Sequence, residues 1–375
     1  MRANNLKEVL TLFLKLGSIS FGGPAAHIAM MDKEIVHKRK WMDRQHFLDL
    51  VGTTNLIPGP NSAEMTMLCG YERAGMPGLF LAGICFIFPA VIITGILAWL
   101  YVEYGQIPQV EPFVYGIKPA VLAIIAAAIV NLGKKALKNW ELGVLGILVL
   151  TASMLGINEI AALLIAGIMG AIYFYTRIKI SGNFKSVFPF VLIQVLCVSV
   201  SNLSTLKVFW SFLKVGAVLY GSGYVLFAYL DTELVAKGLL TRQQLMDAVA
   251  VGQFTPGPVL STATFIGYQL KGFWGAVVAT IGVFLPSFLF VIVVIPFIPK
   301  MRKSKLFGYF LDSVNIAAVA VMIGVLFEMS RDTLTDWKEI VIAASSIGVT
   351  FGFNKISALW IVIGSAFLGY LLYLI

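Results

Sequence analysis

Residues 13–89 of the chain are written a second time at 212–286. Phe13-Leu14-Lys15-Leu16-Gly17 returns as Phe212-Leu213-Lys214-Val215-Gly216, and Asp32-Lys33-Glu34 as Asp231-Thr232-Glu233. Pro58-Gly59-Pro60 returns as Pro256-Gly257-Pro258, Gly70-Tyr71 as Gly267-Tyr268, and Pro89 as Pro286. The offset starts at 199 and falls to 197, so two single-residue gaps align the copies. Two like halves with Gly and Pro at matched positions must fold alike and bury their faces against each other.

The solvent for that fold is lipid. Of 375 residues, 59% are apolar and only 13% charged, far from a soluble domain. Residues 77–101, 113–132, 273–297 and 357–374 form apolar runs near the roughly 20 residues that span hydrocarbon. The N-terminus lacks the plan of a cleaved signal and is expected to be retained. A net charge of +9 fits Lys and Arg collecting in cytoplasmic loops rather than a nucleic-acid surface. Cys69, Cys85 and Cys197 lie in apolar stretches, and His27, His37 and His46 are not spaced as a metal site. No cofactor or metal is expected.

Each half reads as six apolar elements. They are 9–31, 47–70, 76–101, 113–132, 141–157 and 159–176, then 207–230, 246–270, 273–298, 312–329, 338–353 and 356–374. An extra segment, 186–203, lies between the halves after the polar stretch 177–185. The expected division is a first repeat at 1–176, a linker with one further transmembrane helix at 177–206, and a second repeat at 207–375. Gly22-Gly23-Pro24 breaks the first element and Pro58-Gly59-Pro60 the second, because proline lacks a donor and clashes with the preceding turn. Such breaks survive at membrane depth only inside protein or beside a water-filled cavity.

Loop charge decides whether the broken elements cross or re-enter. If both are re-entrant hairpins and the N-terminus is cytoplasmic, the basic loops 33–44, 134–138, 177–185 and 300–305 all face the cytoplasm. The loop holding Glu103 and Glu111 then faces outward, as does the C-terminus. Other counts put a basic loop outside. The expected fold is an all-α integral membrane protein whose two repeats are inverted, because an odd number of crossings separates them. Duplicated apolar halves with broken helices point to a secondary transporter with its substrate between them.

Several residues are candidates for that site. Pro58, Gly59, Pro60, Asn61 and Ser62 would start a half-helix whose N–H groups and positive dipole end attract an anion. Thr255, Pro256, Gly257 and Pro258 would present a second end from the opposite side, although both motifs also suit simple packing kinks. Lys118 lies in an apolar span and its repeat partner is Asn315; together they suit an oxyanion, while snorkelling also explains the lysine. Lys15 and Lys214 are equivalent, and either add positive potential to a cavity or sit on an amphipathic arm. Glu64, opposite Thr262, is a proton-coupling candidate, since an anion nearby would favour its protonation. The competing expectation is a carboxylate neutralised by Arg73 or Lys118. Asp32 and Glu34 read as an interfacial ion network with Lys38 and Arg39, and His27 as a packing residue.

Together these residues resemble the chromate ion transporter family in its long, two-domain form. The first half carries Phe21-Gly22-Gly23-Pro24-Ala25-Ala26-His27, Asn55-Leu56-Ile57-Pro58-Gly59-Pro60-Asn61-Ser62, Gly70-Tyr71-Glu72-Arg73-Ala74-Gly75 and Gly116-Ile117-Lys118-Pro119-Ala120. The second carries Gly221-Ser222-Gly223-Tyr224-Val225-Leu226, Gly252-Gln253-Phe254-Thr255-Pro256-Gly257-Pro258 and Asn315-Ile316-Ala317-Ala318-Val319. The resemblance implies a bacterial inner-membrane protein that moves chromate outward on the proton-motive force and confers chromate resistance. Sulfate shares the charge and tetrahedral shape of chromate, so transport of sulfate or another oxyanion is the alternative expectation, as is an uncoupled oxyanion channel. Enzymatic activity is not expected, and a homodimer stays open.

Overall fold

The computed structural model describes the chain apart from residues 1, 22, 55–56, 105–110, 156, 158, 180–203, 220–224, 298–304, 354–355, 357 and 375, with backbone alone at some flanking helical positions. The extra segment at 186–203, the Gly221–Tyr224 motif and most of loop 300–305 fall outside the described residues. Among the described residues the fold is all helical.

The first half contains α1 (Arg2–Ile19), α2 (Gly23–Met31) with a π-helical turn at Asp32–Lys38, and α3 (Arg44–Thr54). Then come α4 (Asn61–Tyr104), α5 (Glu111–Ala136), α6 (Trp140–Met154) and α7 (Glu159–Lys179). The second half repeats the order. Its helices are α8 (Thr205–Val218), α9 (Val225–Leu230) with a π-helical turn at Asp231–Val235, and α10 (Arg242–Phe254). A 3₁₀ turn at Val259–Ser261 leads into α11 (Thr262–Val294), followed by α12 (Lys305–Thr333), α13 (Trp337–Gly352) and α14 (Ala358–Tyr373).

Four helical stretches are long and apolar enough to cross a membrane: Asn61–Tyr104, Tyr115–Ala136, Val259–Val294 and Gly308–Thr333. Their outer faces carry bare side chains such as Ile84, Phe88, Ile96 and Phe273, the surface that lipid covers. With the membership established below, the chain is an integral membrane protein. Helices α6 and α14 have 15 and 16 residues, shorter than the elements 141–157 and 356–374 read from the sequence, while α13 has the 16-residue length of 338–353; none exceeds about 24 Å. α1 starts well before its apolar run. Val9, Leu12, Phe13 and Leu16 are buried at helical spacing while Lys7 and Thr11 are not, so an amphipathic stripe, invisible to an apolar-run count, extends the helix.

α4 and α11 are not straight. Ala74-Gly75 and Lys271-Gly272 leave helical geometry, with both glycines at positive φ. The chain folds back there so closely that Gly70 lies on the backbone of Gly78, and Gly267 on that of Gly275. The segment 61–73 is therefore a separate arm of about 20 Å that returns beside α3, itself about 16 Å. Neither reaches across hydrocarbon of about 30 Å.

Packing ties the halves together. α1 lies along α4 and α8 along α11, and α4 also meets α11. α5 packs on α13 and α14 of the other half, while α12 packs on α6 and α7. Ion pairs mark the ends of these helices. His46 at the start of α3 meets Glu72 at the end of the returning arm (3.3 Å), and Arg73 there binds Glu8 on α1 (2.7 Å). At the opposite end of α4, Tyr101 donates to Asp247 midway along α10 (2.5 Å), with Arg242 at the start of α10 lying further out. α3 and its repeat counterpart α10 thus begin at opposite ends of α4.

Without a hydrophobic drive between helices in lipid, close backbone approach holds such contacts. A Cβ on Gly17 would come within 2.5 Å of the Phe86 carbonyl oxygen, and one on Gly216 would strike that of Val283. Gly17→Leu and Gly216→Leu should each destabilise the protein by about 1–3 kcal/mol, read as a lower melting temperature in detergent. Gly348→Leu, on a face with open space, serves as the unchanged reference.

Candidate functional site

The first break joins α3 to α4 through Ile57-Pro58-Gly59-Pro60. α4 begins at Asn61, and the Pro60 carbonyl accepts from the N–H groups of Ala63 (2.8 Å) and Glu64 (3.3 Å). Gly59 stands at φ +140°, a region that side chains avoid, and its N–H donates to the Leu219 carbonyl of the other half at 2.6 Å. A Cβ there would collide with Glu64 Oε1 and reach within 2.5 Å of Ser287 Oγ. Glu64 and Ser287 are fully buried. Neither carboxyl oxygen of Glu64 nor Ser287 Oγ has a hydrogen-bond partner among the described residues. Buried polar atoms without partners are rare because each costs its lost hydration, and here they converge on one turn.

The neutralisation of Glu64 by Arg73 or Lys118 does not occur. Arg73 is committed to Glu8 and lies 5.3 Å over the Trp41 ring, and Lys118 lies on α5, which packs against α10. Glu64 is set between the break and Ser287, beyond the reach of either cation.

The second break has the same frame and different chemistry. Gly257, at φ +88°, donates to the Ser20 carbonyl at 2.8 Å, the repeat image of the Gly59–Leu219 bond. A 3₁₀ turn then precedes α11, so this end is not the plain α-helical start read from Pro256 and Pro258. Thr255 and Thr262 direct their hydroxyls to backbone carbonyls at 3.2 and 2.8 Å. The counterparts of Glu64 and Ser287 are Thr262 and Ala90, and Ala90 Cβ is 3.0 Å from where a Cβ on Gly257 would sit. His27 shares the Ser20 carbonyl at 3.2 Å and packs edge-on against Phe86, leaving its Nδ1 and the Ser20 hydroxyl without partners among the described residues.

The other candidate cations lie elsewhere. Lys15 is bonded to Glu34 (3.1 Å), which also receives Lys38 (2.9 Å) and Arg39 (3.8 Å), so Lys15 serves the ion network at the hairpin end and not a central cavity. Lys38 chiefly, with Lys15, holds the Glu34 carboxyl below its ordinary value. Lys214 is half-buried on α8 and makes no ion pair among the described residues. Lys118 is half-buried on α5 opposite Asp247 of α10, and Asn315 is half-buried on α12, which packs against α5. Lys118, on a helix that packs against α10 of the second half, is not joined to the first break.

Sequence reasoning passed over Ser287 and Asp247. Ser287 follows the matched proline Pro286 and differs from Ala90 at the same place. Asp247 repeats Asp49 within Arg242-Gln243 and Arg44-Gln45 frames. Both signals lie in the repeat alignment. Ser287 was hidden because the alignment shows only a hydroxyl gained in an apolar helix, without its neighbours.

The chromate transporter family matches residues 7–171 and again residues 206–370. The chain belongs to the chromate transporter family. The resemblance read from the motifs is borne out, and the two matches fall on the two copies. A chromate transport protein of Cupriavidus metallidurans is 30% identical over 98% of this chain and 93% of its own length. A probable chromate transport protein of Synechococcus elongatus is 30% identical over 89% and 87%. An uncharacterized transporter of Methanocaldococcus jannaschii is 27% identical over 97% and 94%. No solved structure matches.

In this transporter the turn at Gly59 has no room for a side chain. Gly59→Ala should abolish transport at reduced protein yield. Gly257→Ala, whose added methyl meets only Ala90 and two carbonyls at 3.0 Å or more, should reduce yield less. Expression and vesicle flux measure both. At the hairpin end, Glu34 is a depressed carboxyl, so its stabilisation is complete above the ordinary carboxyl range and is lost as pH falls through the folded value. The melting advantage of wild type over Glu34→Gln should therefore be present at pH 7 and vanish in strong acid.

Proposed function

We propose that this protein is a secondary active transporter carrying chromate, or the equally shaped dianion sulfate, outward across the bacterial inner membrane on the proton-motive force. One observation carries the reading: around Gly59, Glu64 and Ser287 bring buried polar atoms from both halves, without hydrogen-bond partners among the described residues, onto the start of a half-helix. An oxyanion accepts from Ser287, Ser62 and the first N–H groups of α4, where the helix dipole favours negative charge. Asn61, half-buried beside them, orients it. Beside a bound dianion an ionised Glu64 is repelled, so anion binding and Glu64 protonation favour each other. That linkage makes anion and proton travel together; with one proton bound to the dianion complex the carried charge stays negative, and the inside-negative membrane potential drives it outward. The printed names of the relatives supply chromate as the substrate class.

The two repeats, 1–176 and 207–375, run in opposite directions through the membrane, joined by 177–206 with a further span. The start of α3 and the start of α10 at opposite ends of α4 support this, as does Lys138 pairing with Asp312 across from the Arg242 cluster. The N-terminus is cytoplasmic and the C-terminus outside, which keeps the basic loops inside.

Flux of chromate and of sulfate into proteoliposomes, with and without an imposed pH gradient, tests the reading. A gradient should speed flux of at least one anion. Flux of both indifferent to the gradient, without counter-transport, would mean a channel and sink the coupled model. Glu64→Gln should flatten the pH profile while changing affinity less than about threefold, and Asn61→Ala should weaken binding by roughly tenfold.

A further inference from the structure

Asp247 is a buried carboxyl for which the site at the first break has no use. It lies on α10, 4% exposed, two turns before the second break. Tyr101, from the last turn of α4, donates to its Oδ2 at 2.5 Å, and Oδ1 has no partner among the described residues. The cation on the neighbouring helix is Lys118, half-buried on α5, which packs against α10; its charge acts on Asp247, and among the described residues the two form no salt bridge. The neighbouring acids do not compete for that cation. Asp231 and Glu233, on the π-helical turn that packs on α10, are held by Arg242 and Lys237. α9 and α14 carry no charged residue, and from α11 none acts on Asp247.

The cluster is built once. The counterpart of Asp247 is Asp49, half-buried and hydrogen-bonded by Gln45 at 3.3 Å. The counterparts of Lys118 and Tyr101 are Asn315 and Ile298, which offer neither a charge nor a phenol. A carboxylate and an ammonium held apart in a poorly hydrated place attract strongly, yet neither is closed by contact. A dianion reaching Lys118 takes over its field and leaves Asp247 as an uncompensated buried charge. A proton on Oδ1 removes that cost, and Tyr101 continues to donate to Oδ2.

We propose that Asp247 is the resident counter-ion of Lys118, that an oxyanion competes with it for the ammonium, and that Asp247 takes up a proton from solvent when the oxyanion wins. The proposal rests on the oxyanion-transport reading above and adds a second proton-linked carboxyl at the other end of α4 from the Glu8–Arg73 pair. Sulfate titrated calorimetrically into the purified full-length protein, in two buffers of different protonation enthalpy, gives both affinity and proton uptake.

Asp247→Asn should bind sulfate roughly 5- to 10-fold tighter and take up about one proton fewer than wild type. Glu64→Gln should retain the proton that belongs to Asp247. Tyr101→Phe, which keeps the carboxyl and removes its one hydrogen bond, should bind severalfold tighter and retain the uptake; it decides alone if Asp247→Asn does not fold, and unchanged affinity then overturns the proposal. Wild-type affinity and uptake in Asp247→Asn, or the weaker binding that a merely structural carboxyl would show, overturns the counter-ion role and leaves the transport reading standing. A wild-type protein that binds neither sulfate nor chromate overturns both.

Discussion

Two backbone hydrogen bonds carry the architecture: Gly59 N–H to the Leu219 carbonyl, and Gly257 N–H to the Ser20 carbonyl. A broken helix leaves backbone groups without their helical partners, and inside a membrane each such group costs several kcal/mol. Each half answers by borrowing an acceptor from the other, from the residue just after α1 or α8. Neither glycine N–H is satisfied within its own copy. The interlocked packing of α5 on α13 and α14, and of α12 on α6 and α7, follows the same reciprocity.

Within that symmetric frame the chemistry is unequal. Around Gly59 stand Glu64 and Ser287, buried and without hydrogen-bond partners among the described residues; around Gly257 stand Ala90 and a Thr262 whose hydroxyl is already engaged. A symmetric scaffold holds two turns open, and substitutions on one side turn one of them into a place for a charged ligand. The departure is repeated at the far end of α4, where Lys118, Tyr101 and Asp247 assemble without an equivalent set in the first half.

Much of this was legible in the residues. The duplication, the breaks at Gly23-Pro24 and Pro58-Gly59-Pro60, and the membership all follow from spacing and motif, because Gly and Pro act on the local backbone. The ion network of Glu34 with Lys38 and Arg39 was legible for the same reason, since its members are close in sequence. Partners distant in sequence were not. Arg73, nine residues along from Glu64, is a plausible partner for it by sequence, yet it binds Glu8; Lys15 reads as a cavity lysine, yet it binds Glu34. Charge type limits what a side chain seeks, and only the path of the helices decides which opposite charge is within reach.

The sequence by itself determined a duplicated, lipid-embedded helical chain, with its breaks at matched positions and its polar residues concentrated at a few of them. Those are properties of composition and local backbone preference. Only the tertiary structure decided that each break is held by the other half, that Ser287 joins Glu64, and that Lys118 looks to Asp247. Residues from Ser20 to Ser287 meet at these places, and no local rule selects among partners so far apart in the chain. The selection comes from the close approach of glycine-lined helices, which sets the few neighbours that each buried polar group can have.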